Sequence, residues 1–265
     1  MSDIGGLNAH CSEYQVENMQ LFFFIILGAI IGSFCNVVIY RMPLILHGEK
    51  LSLSWPSSHC PHCKQPIKFR HNIPLFGWLL LGGRCAGCGK TISWRYPLVE
   101  VMLALLYGLI IWRQGVTPQS LFDLLAVTLL LPLLFIDLDT MLLPDRLTLP
   151  LLVLALLFAA SGYGRVELRL AAIAAVIGFG LPWLLSLLFR ALRGHEGMGM
   201  GDMKLLAALG AWLGPLALLD IFALSALLAL AVAIILLRVK VGQAFPFGPY
   251  PIVAAVGWML LYHTS

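Results

Sequence analysis

Gly197-Met198-Gly199-Met200-Gly201-Asp202-Met203-Lys204 stands directly ahead of the apolar run Leu205-Leu206-Ala207-Ala208-Leu209. Glycine at every second position removes the Cβ atoms that would keep another backbone, or a substrate strand, at a distance. The acid that ends the run sits where water meets an apolar segment. An ionisable residue at membrane depth is costly and marks a candidate functional site that needs a partner. The partner upstream is Asp137, in Phe135-Ile136-Asp137-Leu138-Asp139, where another apolar run meets an acid. Asp137 and Asp202 form the candidate active site.

That reading requires a membrane, and composition supplies one. The 265 residues are 60% hydrophobic and 11% charged, with mean hydropathy +0.91, which places the chain among polytopic membrane proteins. A helix needs roughly 20 apolar residues to cross the hydrocarbon core. The sequence predicts an all-α membrane protein of about eight spans, near 20–40, 97–113, 120–136, 146–161, 168–189, 203–217, 220–237 and 247–262, the fourth and sixth being short. Residues 1–19 carry Asp3, Glu13 and Glu17 but no Lys or Arg, so they lack the basic start of a cleavable signal peptide and read as an exported tail. With the N-terminus outside, fourteen of the 17 Lys and Arg fall in inner loops and only Arg113, Arg165 and Arg169 outside. This asymmetry predicts both termini outside and both aspartates at the cytoplasmic face. The net charge of +4 follows the membrane sidedness and gives no reason to expect a nucleic acid partner.

The polar segment 41–96 holds Cys60-Pro61-His62-Cys63 and Cys85-Ala86-Gly87-Cys88. Two such knuckles converge their thiolates on one tetrahedral Zn²⁺. A reducing cytoplasm argues against disulfides, although a redox role or no metal at all are the alternatives. Four cysteines, Cys60, Cys63, Cys85 and Cys88, would close the coordination shell, so the zinc is expected to be structural, stabilising a segment too short for a core of its own. His59, His62 and His71 are read as non-ligands, and Cys11 and Cys35 have no obvious mates.

The remaining signals are weaker taken singly. Gly28, Gly32, Ser33 and Cys35 on the first span suit close helix packing, and the amide of Asn36 needs a partner. Glu100, just after Pro97, suits a helix N-terminus, yet its nearness to the inner face also makes it a site candidate. Asp145 after Pro144 reads as an N-cap. Asp137 and Asp139 lie about 200° apart around a helix, so they cannot face one partner, and Asp137 is the deeper. The basic loop through Arg190, Arg193, His195 and Glu196 leads into the glycine run, and binding of lipid phosphates is its minor alternative. Phe245-Pro246-Phe247-Gly248-Pro249-Tyr250-Pro251 breaks helix and leaves backbone groups unpaired, which membrane depth tolerates only against protein or a water-filled cavity. The loop either lines the same cleft or simply packs.

Two carboxylates brought together in a low dielectric share one proton and hold a water between an acid and a base, the arrangement of aspartic proteases. Gly199-Met200-Gly201-Asp202 with Ile136-Asp137 resembles the GxGD intramembrane aspartic proteases. Adding Gly32-Ser33-Phe34-Cys35-Asn36-Val37-Val38-Ile39-Tyr40-Arg41, both cysteine knuckles, Arg95-Tyr96-Pro97-Leu98-Val99-Glu100, Leu143-Pro144-Asp145 and Pro246-Phe247-Gly248-Pro249, the chain is similar to the bacterial type IV prepilin peptidases over roughly residues 25–255. Cys35 stands where that family typically has leucine. The resemblance implies that Asp137 and Asp202 are the catalytic pair. It implies cleavage of a basic leader after glycine from pilin or pseudopilin precursors, then methylation of the new N-terminal amine from S-adenosylmethionine. No Rossmann-type glycine pattern lies in 41–96, so the methyl donor's residues are not legible.

Three domains are expected: a tail and first helix over 1–40, a zinc-binding domain over 41–96, and a seven-helix peptidase core over 97–265. Two other readings compete. A transporter or channel would use the aspartates as a proton or metal relay, and would bring acids at the bilayer midplane and related halves, of which the sequence has no trace. A membrane assembly scaffold would tolerate loss of the aspartates.

Overall fold

The computed structural model describes residues 4–60, 62–194, 197–237 and 245–262. Among the described residues the regular secondary structure is helical, with two isolated β-bridges besides. Five helices are long and apolar enough to span a membrane: α1 (Ile4–Leu46, of which Glu17–Leu46 meets the criterion), α3 (Arg95–Gln114), α4 (Pro118–Thr140), α6 (Leu168–Arg193) and α8 (Pro215–Ala231, continued as a π-helix over Val232–Leu237). The short α2 (Phe76–Leu80) lies in the segment between α1 and α3, while α5 (Asp145–Ala160), α7 (Met200–Leu213) and α9 (Pro249–Leu261) have 16, 14 and 13 residues. At 1.5 Å per residue α7 is only about 21 Å long, less than the roughly 30 Å hydrocarbon core. It stops because Gly214 adopts φ 91° and Pro215 opens α8 at once. The sequence placed this helix at 203–217, three residues past the glycine that ends it. The first helix runs far beyond the 20–40 read from hydropathy, since the polar residues ahead of the span continue the helix, as do Arg41 and the apolar Met42–Leu46 after it.

Packing divides the chain into a unit of residues 1–124 and a unit of residues 125–265, with the boundary inside α4. In the first unit α1 lies against α3. The small residues read as packing positions are that: a Cβ on Gly28 would lie 2.8 Å from the Leu103 carbonyl oxygen, and one on Gly32 2.8 Å from Cα of Glu100. Asn36 finds its partner on the same seam, donating to the Tyr96 carbonyl at 3.0 Å. The fully buried Asp123, an acid the hydropathy pattern hides, accepts from Gln114 at 3.0 Å and Gln119 at 2.9 Å. In the second unit α7 is the centre, packed by α5, α6 and α8 and buried along Leu205–Leu213.

Between α1 and α3 the chain makes the same turn twice. Cys60 N–H donates to the Gln65 carbonyl, Lys64 N–H returns to Cys60, and Ile67 N–H closes on Ser58. Twenty-five residues later Cys85 donates to Lys90, Gly89 returns to Cys85, and Ile92 closes on Gly83. Lys64 and Gly89 occupy the same left-handed position, at φ 58° and 70°. Ser58–Ile67 and Gly83–Ile92 are therefore a structural repeat.

Candidate active site

Asp137 lies three residues before the end of α4 and is 4% exposed. The helix ends there because Met141 turns left-handed, φ 54°, with its N–H donating to the Asp137 carbonyl at 2.9 Å, a single-bond αL cap on a non-glycine residue that costs of order 1 kcal/mol. Gly248 N–H donates to Asp137 Oδ2 at 2.9 Å. The proline-rich loop ahead of α9 thus reaches the acid, the cleft-lining alternative of the two the sequence left open. Asp139, half a turn on, is exposed.

Asp202 occupies the third position of α7, behind the N-cap Gly199. Its carboxylate accepts from the Gly199 N–H and from its own, as the third residue of a capping box does, and the helix dipole favours negative charge there. Its Oδ1 is buried with no hydrogen-bond partner among the described residues. Asp137 acts on it electrostatically, so the second unit places the two predicted carboxylates within electrostatic reach of each other.

The glycines around the pair have specific neighbours. A Cβ on Gly201 would lie 2.8 Å from Leu143 Cβ, one on Gly248 2.9 Å from Asp137 Oδ2 and 3.2 Å from Leu143 Cδ1, and one on Gly199 3.1 Å from Asp202 Oδ2. Leu143 is the wedge that both loops close upon, a residue that carries no chemistry of its own and that sequence reasoning did not single out. Its place in Leu143-Pro144-Asp145 was the available signal. Asp145 is not the N-cap expected of it. Pro144 holds that position, Asp145 is the first helical residue, and its carboxylate takes Lys204 Nζ at 2.7 and 2.8 Å, tying α5 to α7 two residues past Asp202. Glu100 is 7% exposed and accepts from Leu75 N–H at 2.8 Å, a tertiary bond in place of the simple helix-end role. Of the basic loop, His195 and Glu196 lie outside the described residues.

In the first unit the Sγ atoms of Cys60, Cys63, Cys85 and Cys88 lie within 4.8 Å of one another, with Cys60 to Cys88 and Cys63 to Cys85 at 3.9 Å. Four sulfurs about 2.3 Å from a tetrahedral Zn²⁺ stand roughly 3.8 Å apart, so the set fits that metal. N–H groups of Cys88 and Gly87 aimed at Cys85 hold its thiol down at about 6, and those of Cys63 and His62 lower Cys60. At Cys63 the Gln65 N–H is outweighed by burial and the three neighbouring sulfurs, which push it up to about 11; two of the four thiols are thus held toward the thiolate a metal binds.

The family description "Bacterial Peptidase A24 N-terminal domain" matches residues 26–114, and "Type IV leader peptidase family" matches 124–234. A protein of Neisseria gonorrhoeae named prepilin leader peptidase/N-methyltransferase is 42% identical over 254 residues, covering 89% of this chain and 87% of its own. A protein of Aeromonas hydrophila with the same name is 46% identical over 253 residues, covering 87% and 86%. No solved structure matches the chain. The two matches meet the two packing units in turn, and the chain belongs to the type IV leader peptidase family, as a multi-pass membrane protein of the bacterial A24 type.

Proposed function

We infer that the protein is a bifunctional prepilin leader peptidase and N-methyltransferase, the activity named for its relatives at 42% and 46% identity, and that Asp137 and Asp202 are its catalytic pair. The observation that carries the second part is the meeting of these two acids in one unit, one fixed by the Gly248 N–H and the other left with a buried oxygen unpartnered among the described residues. Both stand at helix ends, where a hydrolase can admit water, and not at the middle of a span as a relay would have them.

One carboxylate of the pair takes a proton from water as the water attacks the carbonyl of the leader's terminal glycine, and the other gives its proton to the carbonyl oxygen. Collapse of the tetrahedral intermediate breaks the C–N bond, and the proton held by the pair passes to the leaving amine. The two carboxylates suffice for these steps without a metal. Gly248 N–H keeps Asp137 oriented through the cycle. The basic leader remains on the cytoplasmic side while the precursor's apolar helix lies in the bilayer. S-adenosylmethionine, when bound, supplies the methyl group for the new N-terminal amine.

The short helices α5, α7 and α9 complete eight membrane segments in this reading, with both termini periplasmic and the site facing the cytoplasm of the inner membrane. The tail and first helix, the zinc-binding segment 41–96 with Cys60, Cys63, Cys85 and Cys88 as ligands, and the peptidase core from 97 are its functional parts. Mass spectrometry of a prepilin-like substrate after incubation with the purified protein and S-adenosylmethionine tests the whole. Loss of the leader with gain of one methyl is expected, abolished by Asp137→Asn and Asp202→Asn and retained by Asp139→Asn. Cleavage that survives Asp137→Asn or Asp202→Asn removes the pair.

A further inference from the structure

In the second unit α5 and α6 both pack on α7 and touch each other little. The space between them is an apolar groove of about 450 Å³. Leu149 and Leu152 of α5 and Val176 and Phe179 of α6 wall it, Ala207 of α7 is its floor, and Lys204 is its one charged lining residue. Lys204 and Ala207 lie about 200° and 140° around α7 from Asp202, so the groove runs along the back of that helix, away from the cleavage site. Its walls open on the bilayer, since Val176 is 71% and Leu149 42% exposed.

One glycine in the groove has no packing reason. Gly178 and Gly210 are needed where α6 meets α7, because an added Cβ would lie 2.5 Å from the Leu206 carbonyl oxygen in the first case and 2.7 Å from that of Ala174 in the second. Gly180 lines the groove, and a Cβ there would meet nothing within 4 Å. Glycine inside a helix is destabilising relative to alanine, and at Gly180 the return is open space. That space is too small for a protein helix. A helix about 10 Å across fills roughly 80 Å³ per Å of length, so the groove would hold about one turn. It suits a narrow, flexible hydrocarbon chain.

The groove is charged at one end. Lys204 snorkels from its lining to Asp145, the first residue of α5. Arg146 follows, three residues ahead of Leu149 and so on an adjoining part of the same face. Its side chain is exposed and makes no ion pair or hydrogen bond among the described residues. Asp145, Arg146 and Lys204 together carry one net positive charge, and the N-terminal end of the α5 dipole adds to it.

We propose that the groove holds an acyl chain of a membrane phospholipid with an acidic headgroup, whose phosphate is met by Arg146 and Lys204. An apolar slot with cations at its interfacial end complements an anionic amphiphile, and the surrounding bilayer supplies one. Neither a second copy of the chain nor a precursor's helix enters such a slot beyond about one turn. The bound chain backs α7 on the side opposite Asp202.

The test uses the full chain in vesicles of phosphatidylethanolamine containing phosphatidylglycerol with a diazirine in one acyl chain, irradiated and then mapped by peptide. Label is expected to be enriched within 149–152 and 175–180 over similarly exposed residues of α8, such as Leu219, Leu227 and Leu230. Gly180→Leu fills the groove and improves helix propensity. It is expected to cut that enrichment at least about tenfold, the effect of excluding about two methylenes. Arg146→Gln with Lys204→Met is expected to leave the groove labelled but to equalise phosphatidylglycerol and a phosphatidylcholine probe of the same chain. Label spread evenly over α5, α6 and α8 of the unaltered chain overturns the site, a readout that needs no variant. Enrichment retained in Gly180→Leu removes the chain from the groove, and equal labelling of the unaltered chain by both probes removes the acidic headgroup. Label lost as the protein-to-lipid ratio is raised gives the face to a second copy and overturns the proposal.

Discussion

Gly248 N–H and Asp137 Oδ2 are joined at 2.9 Å across 111 residues of sequence. Gly248 has φ −51°, a conformation open to any residue, so its lack of a side chain serves proximity and not backbone freedom. A Cβ there would lie 2.9 Å from Oδ2, 3.1 Å from Cγ and 3.2 Å from Leu143 Cδ1. The Gly248→Ala variant is expected to displace the carboxylate and lower kcat/KM for leader cleavage by about 10- to 100-fold, the scale of a misplacement near 1 Å. Cleavage kinetics alongside thermal unfolding check this. An unchanged rate would mean that Asp137 needs no such alignment.

Gly201 makes the corresponding contact from the other acid's helix, but against a different atom. Its added Cβ would meet Leu143 Cβ at 2.8 Å, an atom that alanine retains. Gly201→Ala is therefore expected to impair cleavage, and adding Leu143→Ala is expected not to restore it. Recovery in the double variant would place the strain on the outer part of the leucine.

These contacts mark what the sequence could and could not convey. Asp137 and Asp202 were legible as candidates because a charge at the edge of an apolar run is an energetic anomaly visible one residue at a time, and the convergence of the four cysteines because their spacing is local. The 200° argument was also local, and Asp139 is indeed on the exposed side of α4. Leu143 was not legible, since an apolar residue wedged between two glycines looks like any other leucine until the chain has folded. The same holds for Glu100, whose partner Leu75 lies 25 residues away in a strained turn, and for Asp145, whose position after proline suggested a cap while its partner lay 59 residues on. Helix lengths failed where hydropathy and helix are different things. Polar residues can extend a helix, as in α1, and one glycine can end an apolar one, as Gly214 ends α7.

The two assignments of Asp145 predict different mutational behaviour. An N-cap would lose roughly 0.5–2 kcal/mol on conversion to alanine whatever stood at position 204. A pair whose side chains are 25% and 54% exposed is worth about 0–1 kcal/mol. A double-mutant cycle of Asp145→Ala and Lys204→Met, read by denaturant unfolding, is expected to give a coupling of about 0.2–1 kcal/mol. A zero coupling with a full loss from Asp145→Ala alone would return the residue to capping.

Metal content tests the cysteine turns, because their packing offers little else to hold them. Of the four cysteines only Cys60 is buried, and among the described residues each turn closes with three backbone bonds, too few to fix about ten residues against their conformational entropy. One Zn²⁺ per chain is expected by elemental analysis, falling towards zero in Cys85→Ser. Since ligand binding would order both turns together, metal removal is expected to release the amides of Cys60, Lys64, Cys85 and Gly89 to hydrogen exchange as one group. The amides of α7, packed between α5, α6 and α8, belong to the other unit and are expected to keep their protection. Independent exchange of the two turns, or metal well below one per chain in protein purified without chelator, would mean that something other than a shared ion orders the repeat.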